Sequence, residues 1–459
     1  MTDLLSPRFL VVTGILGLAV GVFLFVPDAE PPPRDRADTV QAGGVQWTPR
    51  IEVARGDAYR GPWRMNRSDW RFVDDPTVAL SREDVASVVW TDHVEQDLFF
   101  RAYTADGSAR GEAPVNVSQN PDTFSWLPRV AHASGRADTI YVLWQEIIFS
   151  GGSHGGEALF SRSTDGGCTF DAPINLSQSE AGDGKGRLTK KYWHNGSLDL
   201  ATGPEGTIYV AWTEYEGRLW LRRSVDHGRH FSPAVHVAGS NTAPARGPTM
   251  AVDGSGTVHL AWAVGEDPDA DIRYTRSTGA WDAFATPRAV GRSDGHSDAP
   301  SLAVDTAGTV HLAYGESPSG PLQAYHVRYA RSPDGDSAFS RPVAVTPTDP
   351  DAVASTHFPD LRVSGSGVLH LLWERVPSVG DRPHSLGYAQ APTGYLPFKR
   401  RIVVPGSDRP ADGFNGSQQG LLMEKIAIND RGDIAVVNST FDRGDASHVW
   451  LYRGRTQTP

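Results

Sequence analysis

A chain of 459 residues with a formal net charge of -11 is poorly suited to bind nucleic acid or an anionic membrane surface, because gripping phosphates requires a positive field. Its one cysteine, Cys168, cannot pair within the chain, so packing must hold the fold, and the thiol is expected to be buried and inert. With 39% hydrophobic residues, 48 Gly and 33 Pro, the composition supplies a core and many tight turns, which points to an all-β protein of short strands.

Phe9 to Val26 runs for 18 residues without a charge. As a helix it would be about 27 Å long, close to the thickness of a hydrocarbon core, so 9–26 is predicted to be an uncleaved transmembrane anchor. Val26-Pro27-Asp28-Ala29 is a poor cleavage site for the rival, a signal peptide. Arg8 and the amino terminus place residues 1–8 in the cytoplasm and the remainder in the periplasm or outside the cell. Gly14, Gly17 and Gly21 share one helical face on which another transmembrane helix could pack. Residues 27–44, with Pro31-Pro32-Pro33, read as a stiff spacer.

Residues 45–459 are dominated by one repeated phrase. It appears as Gly206-Thr-Ile-Tyr-Val-Ala-Trp212, Gly256-Thr-Val-His-Leu-Ala-Trp262, Gly308-Thr-Val-His-Leu-Ala-Tyr314 and Gly367-Val-Leu-His-Leu-Leu-Trp373, with weaker copies ending at Trp90, Trp144 and Asn438. Successive anchors lie 50 to 68 residues apart, which suits a four-stranded blade with variable loops and is too long for a solenoid turn. Seven anchors predict a seven-bladed β-propeller, with six blades as the alternative. The last repeat has three strands, and Trp47 to Val53 carries the fourth-strand pattern, so strand 47–53 is expected to complete the last blade and remove its free edge.

Between third and fourth strands lies Ser163-Thr-Asp165-Gly-Gly167-Cys-Thr169-Phe170, and a second copy, Ser224-Val-Asp226-His-Gly228-Arg-His-Phe231, departs only at the threonine. In such a turn Asp accepts backbone N–H groups, Gly adopts a left-handed backbone and the aromatic fills the gap between sheets. With these Asp boxes the chain resembles the sialidase or BNR-repeat superfamily of propellers over roughly residues 45 to 455. The resemblance implies a six-bladed enzyme with an arginine triad, a tyrosine nucleophile paired with a glutamate, and an aspartate acid/base. The nearest approach to the family's first arginine motif is Leu127-Pro-Arg129, with the order changed, and no catalytic residue is carried over.

Loops that enter first strands and leave second strands should share the face opposite the Asp boxes, around the channel mouth. Two residues before the first-strand proline, or at the matching place, stand Asp74, Trp126, His194, Arg246, Asp298 and His357; second-strand exits add Glu146, Glu214, Glu266, Glu316 and Glu374. These residues form the candidate ligand face, suited to a sugar or to solvent alone, and Tyr192 to Asn195 adds an aromatic platform. No cofactor is expected, although Asp267, Asp269 and Asp271 supply alternating carboxylates that could hold Ca²⁺. The functional expectation is a membrane-anchored, non-catalytic interaction or scaffold module that docks on a membrane protein complex or recognises a glycan. The alternative is a sialidase-like exo-glycoside hydrolase with an altered site.

Overall fold

The computed structural model describes residues 39–457 apart from 62–68, 121–122, 148–156, 179–197, 215–216, 241, 265–269, 292, 294, 322, 347–354, 378–381, 394–397, 409–412, 416–423 and 443. The predicted cytoplasmic segment 1–8, the anchor 9–26 with Gly14, Gly17 and Gly21, and the spacer up to residue 38 lie outside the described residues. Among the described residues no helix is long and apolar enough to cross a membrane.

The described chain is a seven-bladed propeller of antiparallel four-stranded blades. The first strands are Val73–Leu80, Phe124–Ala133, Leu198–Thr202, Ala245–Val252, His296–Val304, Ser355–Val363 and Ile426–Ile428, in blades one to seven. First strands of neighbouring blades pack on one another and line the ring centre. The repeated phrase forms the second strands, where alternating side chains face the two neighbouring blades. Trp90, Trp144, Trp212, Trp262, Tyr314, Trp373 and Asn438 are all buried there.

Because each blade is apolar on both faces, the core is divided among the gaps between blades. Seven apolar clusters fill them, and the one built from Val78, Val88 and Trp90 with Val437, Val449 and Leu451 joins blade seven to blade one. The ring is therefore closed by packing as well as by hydrogen bonds. The last long strand, Ala446–Thr456, carries the N-terminal segment on its outer edge: Ile51–Asp57 pairs with its first half and Val45–Trp47 with its second. A hairpin partner, Val40–Ala42, extends this edge beyond Val45–Trp47.

The Asp boxes have the predicted turn chemistry. Asp165 Oδ1 accepts the Thr169 N–H at 2.9 Å, Ser163 Oγ accepts the Gly167 N–H at 2.9 Å, and Phe170 packs edge-on against Phe100 of the preceding blade. Asp226, Ser224, Gly228 and Phe231 repeat this arrangement against Phe160, with His230 Nδ1 taking the place of the threonine hydroxyl on Asp226 at 2.6 Å. One expectation is corrected here. Cys168 is exposed, because the box directs Ser163, Gly167 and Phe170 inward and leaves the intervening position on the outer side of the turn.

Candidate functional site

Five blades share a backbone irregularity in the first strand. Asp75, Leu127, Gly247, Ala299 and Phe358, each directly before a proline, have φ between 50° and 52°, and the pairing register shifts at every one of these places. This is a β-bulge, which bends a strand and re-aims the side chains that follow. The left-handed conformation is strained for the four that are not glycine.

The residue after the proline consequently faces the neighbouring blade at the ring centre. Thr249 Oγ1 accepts the Leu302 N–H at 3.2 Å, Ser301 Oγ accepts the Leu361 N–H at 2.9 Å, and Asp360 Oδ2 accepts the N–H groups of Lys425 and Ile426 at 2.6 and 2.9 Å. Blade three has no proline, yet Asp199 occupies the same place and its Oδ2 accepts the Met250 N–H at 2.5 Å. A single hydrogen-bonded arc thus ties blades three to seven together.

Within it lies a shallow pocket, open to solvent and lined from blades two to seven. Pro248, Pro300 and Pro359 make an apolar wall, whereas Arg129, Asp199, Asp360, Arg362 and Glu424 supply charge. Arg362 donates to Asp360 at 2.8 Å and to Glu424 at 2.9 Å, and Arg129 Nε stands 3.9 Å from Asp199. Behind this layer Lys425 pairs with Glu374 in a buried ion pair.

Burial, and then the neighbouring Glu424, push the Asp199 carboxyl up to about 7, against the pull of Arg129. Burial likewise raises Glu424, with Arg362 and Arg129 opposing. Desolvation works against the charge on Arg362, but Asp360, Glu424 and Asp199 together hold it above its ordinary value. The pocket therefore combines a carboxyl that titrates near neutrality with the guanidinium groups of Arg129 and Arg362, of which Arg362 is held charged by its three carboxylate neighbours. Such a set can bind a polar ligand or transfer a proton.

None of the described residues of the predicted face lines this pocket. Asp74 is buried and accepts the Ser439 hydroxyl; Trp126 is buried among Phe124, Leu127 and Ile147; Asp298 accepts the Ala299 N–H at 2.6 Å. His357 is sandwiched between Tyr325 and Phe358 at 3.7 and 3.8 Å, and burial lowers its pKa to about 3, so it stays neutral. Arg246 is half-buried on blade four, and Glu214, also half-buried, directly follows the second strand of blade three. Glu146 is buried under donors from Ser125 and Trp144 at 2.6 and 2.7 Å together with Thr123, and Glu316 pairs with Arg328 at 2.8 Å. Among the described residues of that face, Glu374 adjoins the pocket through its pair with Lys425, the neighbour of Glu424.

His194 and Glu266 lie outside the described residues, as do the Tyr192 to Asn195 platform and Asp267 and Asp269 of the Ca²⁺ candidate; Asp271 accepts the Ser293 N–H at 3.5 Å. Among the described residues no group of three His, Cys, Asp or Glu side chains is arranged to hold a metal ion. The residues missed were Arg129, Asp199, Asp360, Arg362 and Glu424. A polar residue directly after the repeated proline was the available signal for Arg129 and Asp360; for Glu424, without a proline, there was none.

No protein-family model matches the chain, and no curated protein sequence matches it. Among solved structures it is similar to a PL25 ulvan lyase, a polysaccharide lyase, at 12% identity and a TM-score of 0.57, covering 88% of this chain and 96% of that one. The same lyase bound to -[GlcA(1-4)Rha3S]- gives a TM-score of 0.56 at 12% identity over the same shares. The polysaccharide lyase Uly1 follows at 13% identity and a TM-score of 0.54, covering 90% of this chain and all of that one. At such identities the likeness establishes the propeller fold.

Proposed function

We propose that this propeller recognises a glycan in the pocket at its ring centre, and that residues 9–26 tether it to a membrane with the ring on the outer side. The observation that carries the reading is the pocket's mixed lining, in which Pro248, Pro300 and Pro359 stand together with Arg129, Asp199, Asp360, Arg362 and Glu424. A pyranose has the matching character, with C–H faces for the apolar wall and hydroxyls for the charged arc. The fold likeness to polysaccharide lyases supports it as an analogy of architecture. In this reading the module is non-catalytic and presents a bound glycan to a membrane protein complex, which co-purification from native membranes would identify.

The test is a glycan array probed with the full chain and with Glu424→Gln. The wild type should retain a defined set of glycans, and the variant should lose most of that signal while melting at a similar temperature. Absence of any retained glycan, or undiminished binding by the variant, overturns the proposal.

A second reading, a glycoside hydrolase or lyase, is favoured by the Asp199 carboxyl, whose value of about 7 is matched to general acid–base work at neutral pH. Sialosides and a polysaccharide panel, assayed for released sugar and for unsaturated products, separate the two. Turnover that disappears in Asp199→Asn establishes the enzyme, and inactivity across the panel leaves recognition.

A further inference from the structure

We infer that the charged group this pocket accepts from its glycan is a cation, the free amine of an amino sugar held as ammonium beside Asp199 and Glu424. The inference rests on the glycan reading above and adds the chemical class of the sugar.

Charge balance in the lining carries the argument. Three carboxylates, Asp199, Asp360 and Glu424, face the pocket with two guanidinium groups, Arg129 and Arg362, so the fully ionised lining has one negative charge in excess. The adjoining Lys425–Glu374 pair cancels internally and does not alter that balance. Both arginines are already engaged. Arg362 donates through Nη1 to Asp360 at 2.8 Å and to the Leu361 carbonyl at 3.0 Å, and through Nη2 to Glu424 at 2.9 Å. Arg129 donates to the Pro128 carbonyl at 3.0 Å and faces Asp199.

An incoming carboxylate or sulfate would have to break these pairs and then sit against Asp199 and Glu424, a like-charge approach. An ammonium group meets the opposite situation. It supplies the missing positive charge between the buried Asp199 on blade three and the half-buried Glu424 on blade seven, while Pro248, Pro300 and Pro359 take the sugar's C–H face. In the absence of such a ligand a proton takes that role, which agrees with the raised pKa values of Asp199 and Glu424.

The groups that face Asp199 are Arg129 on blade two, Asp360 and Arg362 on blade six and Glu424 on blade seven. Since a bound ammonium replaces the proton held on Asp199, affinity for an amine-bearing glycan should fall on acidification from about pH 7 to about pH 5, and affinity for a carboxylated one should not.

The experiment titrates the full chain with four matched tetrasaccharides, made of glucosamine, N-acetylglucosamine, glucose and galacturonic acid, at both pH values, alongside Glu424→Gln. The glucosamine oligomer should bind best, lose about tenfold in affinity on N-acetylation, weaken at the lower pH, and lose its advantage in Glu424→Gln. Equal or tighter binding of the acetylated, neutral or acidic oligomer overturns the inference. So does an array that retains glycans with no enrichment of free amines; glycan recognition then still stands. If no glycan of any charge is retained, both fall together.

Discussion

Asp84 and Arg453 meet in a site from which water is almost excluded, joining the first blade to the last strand of the ring. Burial raises the Asp84 carboxyl, and Arg453 opposes that shift. Removing one partner of such a pair leaves a buried charge without compensation, so Asp84→Ala should cost roughly 3 to 5 kcal/mol in urea denaturation; a loss below about 1 kcal/mol would show that water or a neighbour replaces the carboxylate. Gly167 has a different constraint, with φ at +90° and a Cβ that would fall inside the Phe100 ring. Gly167→Ala should therefore destabilise by roughly 2 to 4 kcal/mol, through backbone strain and overpacking together. Asp199 predicts a pH effect. Its folded value of about 7 lies above the ordinary carboxyl value near 4, so the folded state holds the proton more tightly. The stabilisation this provides is complete below about pH 4 and is lost as pH rises through about 7. Stability measured at pH 5 and pH 8 should differ more in the wild type than in Asp199→Asn, and an equal difference in both would remove Asp199 as the cause.

At the scale of the strand, each of the five bulges adds one residue, so that the residue two before the proline and the residue after it oppose partners two positions apart and share one face of the sheet, as His357 and Asp360 do opposite Glu374 and Leu372. The predicted face took the earlier of these two positions, and the residue after the proline is the one that reaches the neighbouring blade at the ring centre. Ala299 makes the strain measurable: Ala299→Gly should be neutral to stabilising by about 1 kcal/mol, because glycine occupies φ near +50° without a Cβ penalty. A clear loss of stability would mean that the methyl group, buried in the sheet, contributes more packing than the backbone costs. The N-terminal strands yield a second prediction. A chain beginning at residue 39 keeps Val45–Trp47 and Ile51–Asp57 on the last strand and should melt as the full chain does. A chain beginning at residue 58 exposes the whole outer edge of Ala446–Thr456 and should melt at least about 5 °C lower and aggregate, as light scattering during the melt would record.

At the scale of the molecule, the ring distributes its core over seven equivalent gaps, and it is this repetition that made the fold legible. Each blade repeats the same alternation, six of the seven carry the same aromatic anchor, and several copies share the Asp-box turn, so the blade count could be read from spacing alone. The closing role of the N-terminal strand was legible for the same reason, since a three-stranded last repeat implies a missing partner. The pocket was legible only in part. Arg129 and Asp360 carry the mark of a polar residue after the repeated proline, but Asp199 and Glu424 lack the proline, and Arg362 lies two residues further along its strand. Their meeting requires six blades to converge on one axis, a relation among residues separated by some 50 to 300 positions that no local pattern encodes. The excess negative charge of the lining is likewise a sum over distant residues. Periodicity is a local property, and it determined the blades and their number. Convergence at the axis, burial and mutual charge are properties of the closed ring, and only the tertiary structure decided them.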